Sequence, residues 1–291
     1  MHSRLRLNIA LFLIAVALTV FLINTGKEDS VTPDVVLTTI DPASVTDIRI
    51  IRNENDEIAF SRQEDKWMMQ KPYLLPANKF RIDTVLKLLK AHSYTQFDTK
   101  KIELERFLLK SPRVSVLFNN ARIDFGDTSP LGEQRYVLLD NTVHLINDSL
   151  YEQLQTPATF FISPRLLPDD ADITALQLPE HQLRKINDKW TIEPADNISA
   201  DKIIELVSAW KSVEAITVRT IEEKEISGTI RIELAQGDPI EFAIVSAPPQ
   251  LTLARPEFGI QYHISSYDAE QLFVKPVTEQ ADDTPSQTTG E

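Results

Sequence analysis

Two histidines are the residues of this chain that most invite a metal-binding interpretation, because they recur. His144 and His263 each fall near the end of a predicted hairpin strand, at positions that correspond in an internal repeat. A zinc site needs about three or four ligands around one point, and neither histidine has a partner at HxH or HxxxH spacing. His92 and His181 have no counterparts in the repeat. We therefore predict strand residues with partly buried rings and no bound metal.

Acidic residues offer a second kind of chemistry. Asp169, Asp170 and Asp172 could supply oxygen ligands to calcium, but the regular Asp/Asn-x-Asp-x-Gly loop is missing. Pairs such as Glu222-Glu223 are expected from composition alone, since the chain has 43 acidic residues. There is no Gly-x-Ser-x-Gly elbow and no glycine-rich phosphate loop. We predict no catalytic residue, no cofactor and no enzymatic activity.

Tryptophans could also stack on a ligand. Trp67 and Trp190 each follow a lysine at a predicted strand start and precede a helix that would cover them. A buried indole removes a large apolar area from water, so we interpret both as core or hinge residues. Trp210 belongs to the apolar stripe of a predicted helix and is interpreted as a core residue.

The elements that must position these residues occur twice in the chain. Apolar residues at strand and helix positions of residues 39–163 return in the same order in residues 164–274, at shorter spacing. This pattern indicates a duplicated module whose second copy lost loop residues. The matched residues are Val45, Ile48 and Ile50 with Ile173, Leu176 and Leu178, and Ile82, Val85, Leu86 and Leu89 with Ile203, Leu206, Val207 and Trp210.

Within each copy the periodicities predict an α+β fold with a mainly antiparallel sheet and a covering helix. Period-2 alternation predicts short strands that are joined by turn clusters. The stripe from Ile82 to Leu89 predicts a helix over residues 78–91, and Ser199 is the predicted N-cap of its counterpart. The pair Gly126-Asp127 is predicted to be a hairpin turn.

An apolar N-terminal segment indicates the compartment. Residues 7–26 carry no charge, and a helix of about 20 residues reaches about 30 Å, the thickness of the bilayer hydrocarbon core. Arg4 and Arg6 precede the segment, which predicts a cytoplasmic N-terminus. A cleaved signal peptide is the alternative, although residues 21–24 lack the small residues of a cleavage site. We predict a single-pass protein of a bacterial inner membrane, with most of the chain periplasmic.

The predicted organisation has five regions. Residues 1–26 form the cytoplasmic tail and transmembrane anchor, and residues 27–38 form an acidic spacer. Residues 39–163 and 164–274 form the first and second α+β modules. Residues 275–291 are polar, with no apolar pattern, and are predicted to be disordered.

Composition excludes several classes of site and partner. The chain has no cysteine, which removes disulfides, thiolate metal sites and cysteine nucleophiles. Its net charge of −13 would be repelled by nucleic acid and by anionic lipid. We therefore predict a protein partner rather than nucleic acid, with the membrane contacted through the anchor.

Several motifs carry a family resemblance. They are the strand at residues 46–50, the element with Trp67 and Pro72 before the helix, the Gly126-Asp127 pair, and the link at residues 164–167. Together with the anchor, they resemble the bacterial family of domain of unknown function 4340 over most of residues 1–275. Members are often encoded beside ABC transporters of the gliding-motility kind. The resemblance therefore implies an accessory role in the cell envelope, and it implies no catalytic residue.

Two classes of function follow from these patterns. The first is a non-enzymatic, membrane-anchored binding or scaffold protein that works with a transporter or another envelope protein. Its partner is expected in a cleft at the junction of the modules, residues 164–173, and on the outer faces. The second class is an envelope hydrolase or glycan-binding enzyme with an acid pair assembled across the two modules. The retained residues are those that build folds, which favours the first class.

Overall fold

The computed structural model of the chain describes residues 35–53, 56–130, 132–194, 198–222 and 225–274. The predicted anchor, most of the predicted spacer and the predicted tail lie outside these ranges. Within them, none of the helices has both the length and the apolar character that crossing a bilayer requires. The described structure therefore comprises the two predicted modules.

The first module contains one nine-stranded sheet. Its strands are Asp47–Arg52 (β1), Asp56–Gln63 (β2), Lys66–Lys71 (β3), Leu75–Pro76 (β4), Thr95–Asp98 (β5), Val114–Phe118 (β6), Ala121–Thr128 (β7), Gln134–Leu139 (β8) and Thr142–Asn147 (β9). Their order across the sheet is β4-β3-β2-β1-β6-β7-β8-β9-β5. In β1, Ile48 and Ile50 are buried while Asp47 and Arg49 are exposed, so the alternation places one face of the sheet in the core.

The second module contains one eight-stranded sheet. Its strands are Ile173–Gln177 (β10), Gln182–Ile186 (β11), Lys189–Glu193 (β12), Thr217–Thr220 (β13), Gly228–Leu234 (β14), Ile240–Ser246 (β15), Thr252–Arg255 (β16) and Ile260–His263 (β17). Their order is β12-β11-β10-β14-β15-β16-β17-β13. The prediction of two mainly antiparallel sheets is confirmed, because the paired strands of both sheets run antiparallel.

Helices are few, and each sheet has one main helix beside it. The described α-helices are Lys79–Leu86 (α1), Tyr151–Leu154 (α2), Ala200–Ser212 (α3) and Ser266–Gln271 (α4). The 3₁₀ helices are Pro42–Ser44, Lys87–Lys90, Thr99–Lys101, Leu104–Phe107, Asp148–Leu150, Ala158–Phe161 and Pro256–Phe258. The helix predicted over residues 78–91 is thus divided into α1 and a tighter 3₁₀ turn.

Backbone pairing shows the duplication directly. Apart from the two-residue β4, the two sheets have the same strand order, with β1–β3 matched by β10–β12 and β5–β9 by β13–β17. The Tyr94 N–H donates to the Leu145 carbonyl at 2.9 Å, and the Ile216 N–H donates to the His263 carbonyl at 2.8 Å, on the matched edge strands. Identical pairing of non-adjacent strands indicates that both copies keep one fold.

The main helices also begin in the same way. The Asn78 side chain accepts a hydrogen bond from the Arg81 N–H before α1, and the Ser199 hydroxyl accepts one from the Lys202 N–H before α3. Such caps satisfy backbone donors that the first helical turn leaves unpaired. The predicted N-cap at Ser199 is confirmed, and the two caps align α1 with α3 residue by residue.

A short strap leads into each module. The Leu37 N–H donates to the Ala91 carbonyl at 2.8 Å, and the Ala215 N–H donates to the Pro164 carbonyl at 2.8 Å. Leu37 is also buried. Residues 35–38, at the end of the predicted spacer, therefore already belong to the packed structure.

Gly126 does not lie in a turn, contrary to the sequence-based prediction. β7 continues through Gly126 and Asp127 to Thr128, with a register irregularity after Phe125. A Cβ atom on Gly126 would lie 2.3 Å from the carbonyl oxygen of Phe107. The glycine is thus required by the close approach of the 3₁₀ segment that precedes β6, rather than by a hairpin.

Candidate functional site

An open apolar groove lies on the second module, beside α3. It has a volume of about 590 Å³ and runs from β12 across α3 to the residues that follow α4. Among the side chains of its walls are Ile192, Ile198, Ile203, Leu206, Phe273 and Val274. We call this feature the α3 groove.

The walls of the α3 groove are set by the helix and by its contact with the end of α4. Ile203 and Leu206 face the core and are buried, whereas Ile204 lines the groove and is 53% exposed. The Trp210 indole N–H donates to the Leu272 carbonyl at 3.0 Å, which fixes the segment after α4 against α3. Ile204 is thus one of several exposed isoleucines of the chain, and its place among the groove residues distinguishes it.

Charged and polar side chains form the rim of the α3 groove. Lys202 and Glu205 stand on the helix, and Glu270 stands on α4. A smaller polar hollow of about 260 Å³ continues from the groove between α3 and α4, with Ser212 and Asp268 among its lining residues. An apolar floor with a polar rim is the arrangement typical of binding sites.

The matching surface of the first module is filled by the chain itself. After α2 the chain passes the start of α1, where Phe161 and Ile162 are buried. Ile162 forms a β-bridge with Ala77, the residue before the cap of α1. Within the described residues, the α3 groove is therefore the position at which the first module completes its core and the second module stays open.

His144 and His263 do not occupy equivalent positions. His144 pairs with Gln96 and Val137, whereas the residue in the matching pairs of the second sheet is Tyr262. His263 corresponds instead to Leu145, one residue later, and a shift of one residue moves a strand side chain to the opposite face of the sheet. The equivalence inferred from the sequence was therefore wrong.

Each of these histidines has its own local partners. The His144 ring is buried, its Nδ1 lies 2.9 Å from the Ser93 hydroxyl, and burial lowers its pKa. The His263 ring lies 3.3 Å from the Thr252 hydroxyl and 3.1 Å from the Gln261 side-chain nitrogen. Burial raises the pKa of Tyr262, the true counterpart of His144, to about 12.

The remaining histidines lie at separate places. The His92 ring contacts Tyr94, with ring centroids 4.5 Å apart, at the strap of the first module. His181 is buried beside β10, and its carbonyl accepts from the Leu178 N–H. In the part of the chain that the structure describes, no three His, Asp or Glu side chains are grouped so that they could hold a metal ion.

Each of the three candidate calcium ligands forms an ion pair with a different basic side chain. An Asp169 carboxylate oxygen lies 3.0 Å from the Arg165 guanidinium. Asp170 pairs with Lys66 at 3.7 Å, and Asp172 pairs with Lys211 at 3.9 Å. These aspartates therefore tie the link to both modules rather than converge on one point. Of the Glu222-Glu223 pair, Glu223 lies outside the described residues.

The tryptophans support the core, as predicted. Trp67 in β3 is buried, and its carbonyl accepts from the Ala77 N–H at 2.8 Å. Trp190 in β12 is half-buried against the same core. Trp210 is fully buried.

The junction of the modules, where a partner cleft was predicted at residues 164–173, contains buried apolar side chains. Leu166, Leu167 and Ile173 are buried in a core that is continuous between the two sheets. The Arg165 guanidinium donates to the Lys211 carbonyl at 3.1 Å and bridges the link to α3. This part of the link is therefore packed, and the partner site at residues 164–173 stays a prediction.

Sequence reasoning missed the α3 groove, although a signal was present. Ile203 and Ile204 are adjacent on one helix, and only Ile203 belongs to the apolar stripe. In addition, Phe160-Phe161-Ile162 of the first module has no counterpart among residues 275–291. A search for apolar residues that break the repeat would have identified the site.

Comparison with known proteins gives one match. A family model described as a domain of unknown function (DUF4340) matches residues 67–238, from β3 of the first sheet to the turn before β15 of the second. No curated protein and no solved structure matches the chain.

Proposed function

The chain belongs to the DUF4340 family of domains of unknown function, and from that premise we propose that it is a non-enzymatic, membrane-anchored binding protein of the bacterial envelope. In this proposal residues 7–26 span the inner membrane, with the N-terminus in the cytoplasm. The two modules then stand in the periplasm and hold a protein partner. The partner class proposed is an envelope complex of the ABC-transporter type.

The α3 groove is the observation that carries the proposal. Its volume of about 590 Å³ and its apolar walls provide a recessed contact surface, and exposed apolar patches with a polar rim often mark protein interaction sites. It lies on a rigid wall, because Trp210 and Leu272 fix α3 to the end of α4. A partner segment would meet a preformed surface, which lowers the ordering cost of binding.

The position of the groove also suits an anchored protein. The anchor precedes the first module in the chain, whereas the groove is on the second. The first module would act as a spacer that sets the distance between membrane and partner. Its continuous core with the second module supports such a rigid arrangement.

Chemical crosslinking in native membranes tests this proposal. The full-length chain and a variant without residues 7–26 are crosslinked, captured and analysed by mass spectrometry. We expect transporter subunits to be recovered with the full-length chain and to be depleted with the variant. Equal recovery with both forms would contradict the anchored role, and recovery of no protein partner would contradict the binding role.

A further inference from the structure

Residues 158–162 cover the surface of the first module that corresponds to the α3 groove. There the 3₁₀ helix Ala158–Phe161 and Ile162 lie beside the start of α1, and the 3₁₀ helix also contacts β13. Phe161 is 1% exposed and packs edge-on against Phe60, with ring centroids 5.7 Å apart. The backbone is held as well, because the Asn78 N–H donates to the Phe161 carbonyl at 2.7 Å and the Ser163 N–H donates to the Pro76 carbonyl at 2.8 Å.

A basic side chain, Arg81, also contacts this segment. The Arg81 guanidinium lies 3.8 Å from the centroid of the Phe160 ring, a distance at which a cation is attracted to the face of an aromatic ring. Arg81 is the residue whose N–H binds the cap of α1. The first module thus holds Phe160 through a cation, Phe161 through burial and Ile162 through a β-bridge.

The second module has counterparts of the residues that contact this segment in the first module. Lys202 takes the place of Arg81, since its N–H binds the cap of α3 in the same way. Ile198 takes the place of Ala77, and both Lys202 and Ile198 line the α3 groove. The second module therefore offers a cation, an apolar wall and the start of a capped helix in the same order.

Residues 275–291 do not repeat the side chains that cover the matching surface of the first module. Residues 275–291 contain no aromatic residue, and Val277 is their one large aliphatic residue. The residues in step with Phe160, Phe161 and Ile162 are Thr278, Glu279 and Gln280. Burying such polar groups in an apolar groove is unfavourable.

We propose that the α3 groove binds an extended segment of a partner protein in which an aromatic residue is followed by two large apolar residues. The first ring lies under the Lys202 ammonium group, and the next side chain enters the groove between Ile192 and Ile203. The segment pairs with the backbone before α3, as Ile162 pairs with Ala77. This inference rests on the proposed binding function and specifies the chemistry of the partner.

A peptide with the sequence of residues 155–163 is the direct probe, because the first module already binds that sequence. The peptide carries a fluorophore, and its binding to the full-length chain is followed by fluorescence anisotropy. Ile204→Asp places a charge on the groove wall and should weaken binding by about tenfold or more, as loss of a central apolar contact does. Ile204 is half exposed, so the fold should tolerate the change, and the thermal unfolding curve verifies this.

A matched variant separates the groove from the rest of the surface. Ile216→Asp alters another exposed isoleucine, 73% exposed, outside the groove, and should leave peptide binding within about twofold. A peptide with the sequence of residues 273–281 should not bind. Equal binding to both variants would place the peptide elsewhere, for example in the first module, and would overturn the inference.

Two further results would assign the groove to another occupant. If the peptide binds only after residues 275–291 are removed, the chain's own end occupies the groove. If Ile204→Asp abolishes self-association seen in sedimentation, a second copy occupies it. Absence of peptide binding in all forms would overturn the inference alone, because capture of a partner in native membranes would still support the proposed function.

Discussion

The two modules share one strand order but complete their cores differently. The first module closes the surface beside α1 with its own Phe161 and Ile162, both buried. The second module leaves the matching surface open as the α3 groove, with Ile204 half exposed. The comparison teaches that, within the described residues, a duplicated fold can cover a surface with its own side chains in one copy and leave the matching surface open in the other.

The largest effect is expected at Phe161, which is buried in the covered surface of the first module. Phe161→Ala should lower the free energy of unfolding by about 3–5 kcal/mol, the usual loss for a buried phenylalanine. Removal of residues 275–291, which follow the second module, should change it by less than about 0.5 kcal/mol. Chemical denaturation measures both. A similar loss from the two changes would mean that the modules do not differ in this respect.

A smaller effect is expected at Gly126, where the modules also differ. The first module carries the 3₁₀ helix Leu104–Phe107 against this strand, and the second module has a shorter connection between β13 and β14. Gly126→Ala should cost about 1–3 kcal/mol, because the Phe107 backbone must move. Gly228→Ala is the control, since its nearest neighbour would be 3.4 Å away. Equal costs in urea unfolding would contradict the close approach.

The helix caps should behave alike in the two modules. Asn78→Ala and Ser199→Ala should each lower the free energy of unfolding by about 1 kcal/mol. Exchanging the caps, by Asn78→Ser and Ser199→Asn, should leave stability nearly unchanged, because both side chains accept the same backbone hydrogen bond. A loss at one site only, in thermal unfolding, would show that the alignment of α1 with α3 is wrong.

The smallest expected effect is a pH dependence that arises from His144 in the first module. Burial lowers the pKa of His144 below its ordinary value of 6.5, so the unfolded chain binds this proton more readily than the folded chain. The contribution of His144 to stability is therefore fully present above pH 6.5 and is lost as the pH falls through that value toward the folded pKa. The double change His144→Tyr and Ser93→Ala copies the second module and should reduce the slope.

Unfolding free energies at pH 7.5 and 5.5 provide the measurement for this last effect. The double variant should lose less stability on acidification than the original chain. An unchanged difference between the two pH values would show that His144 does not contribute. The control is Ser93→Ala alone, which keeps the buried ring and should retain the slope.

Much of the fold could be predicted because its signals are local. The stripe from Ile82 to Leu89 and the cap at Ser199 determine the two main helices, and alternation in β1 and β6 determines the core strands. The edge strands β5 and β13 escaped prediction. Thr95–Asp98 is exposed along its whole length, and therefore lacks the apolar alternation that identifies a strand.

The errors came from non-local geometry. Gly126-Asp127 has the composition of a turn, but a neighbouring segment, distant in sequence, is what requires the glycine. The sequence matches His144 with His263, whereas the hydrogen-bond register matches it with Tyr262, one residue earlier. The groove depends on how α3 packs against β12 and the residues after α4, and sequence motifs do not contain that information.

Site-specific photocrosslinking tests the central claim most directly. A benzophenone amino acid replaces Ile204 in the α3 groove or Asp83, its counterpart on α1, and the full-length chain is irradiated in native membranes. Binding in the groove predicts an adduct from position 204 only, with a partner peptide, located by mass spectrometry, that has an aromatic residue before two large apolar residues. Equal adducts from both positions, or no adduct from position 204, would contradict it.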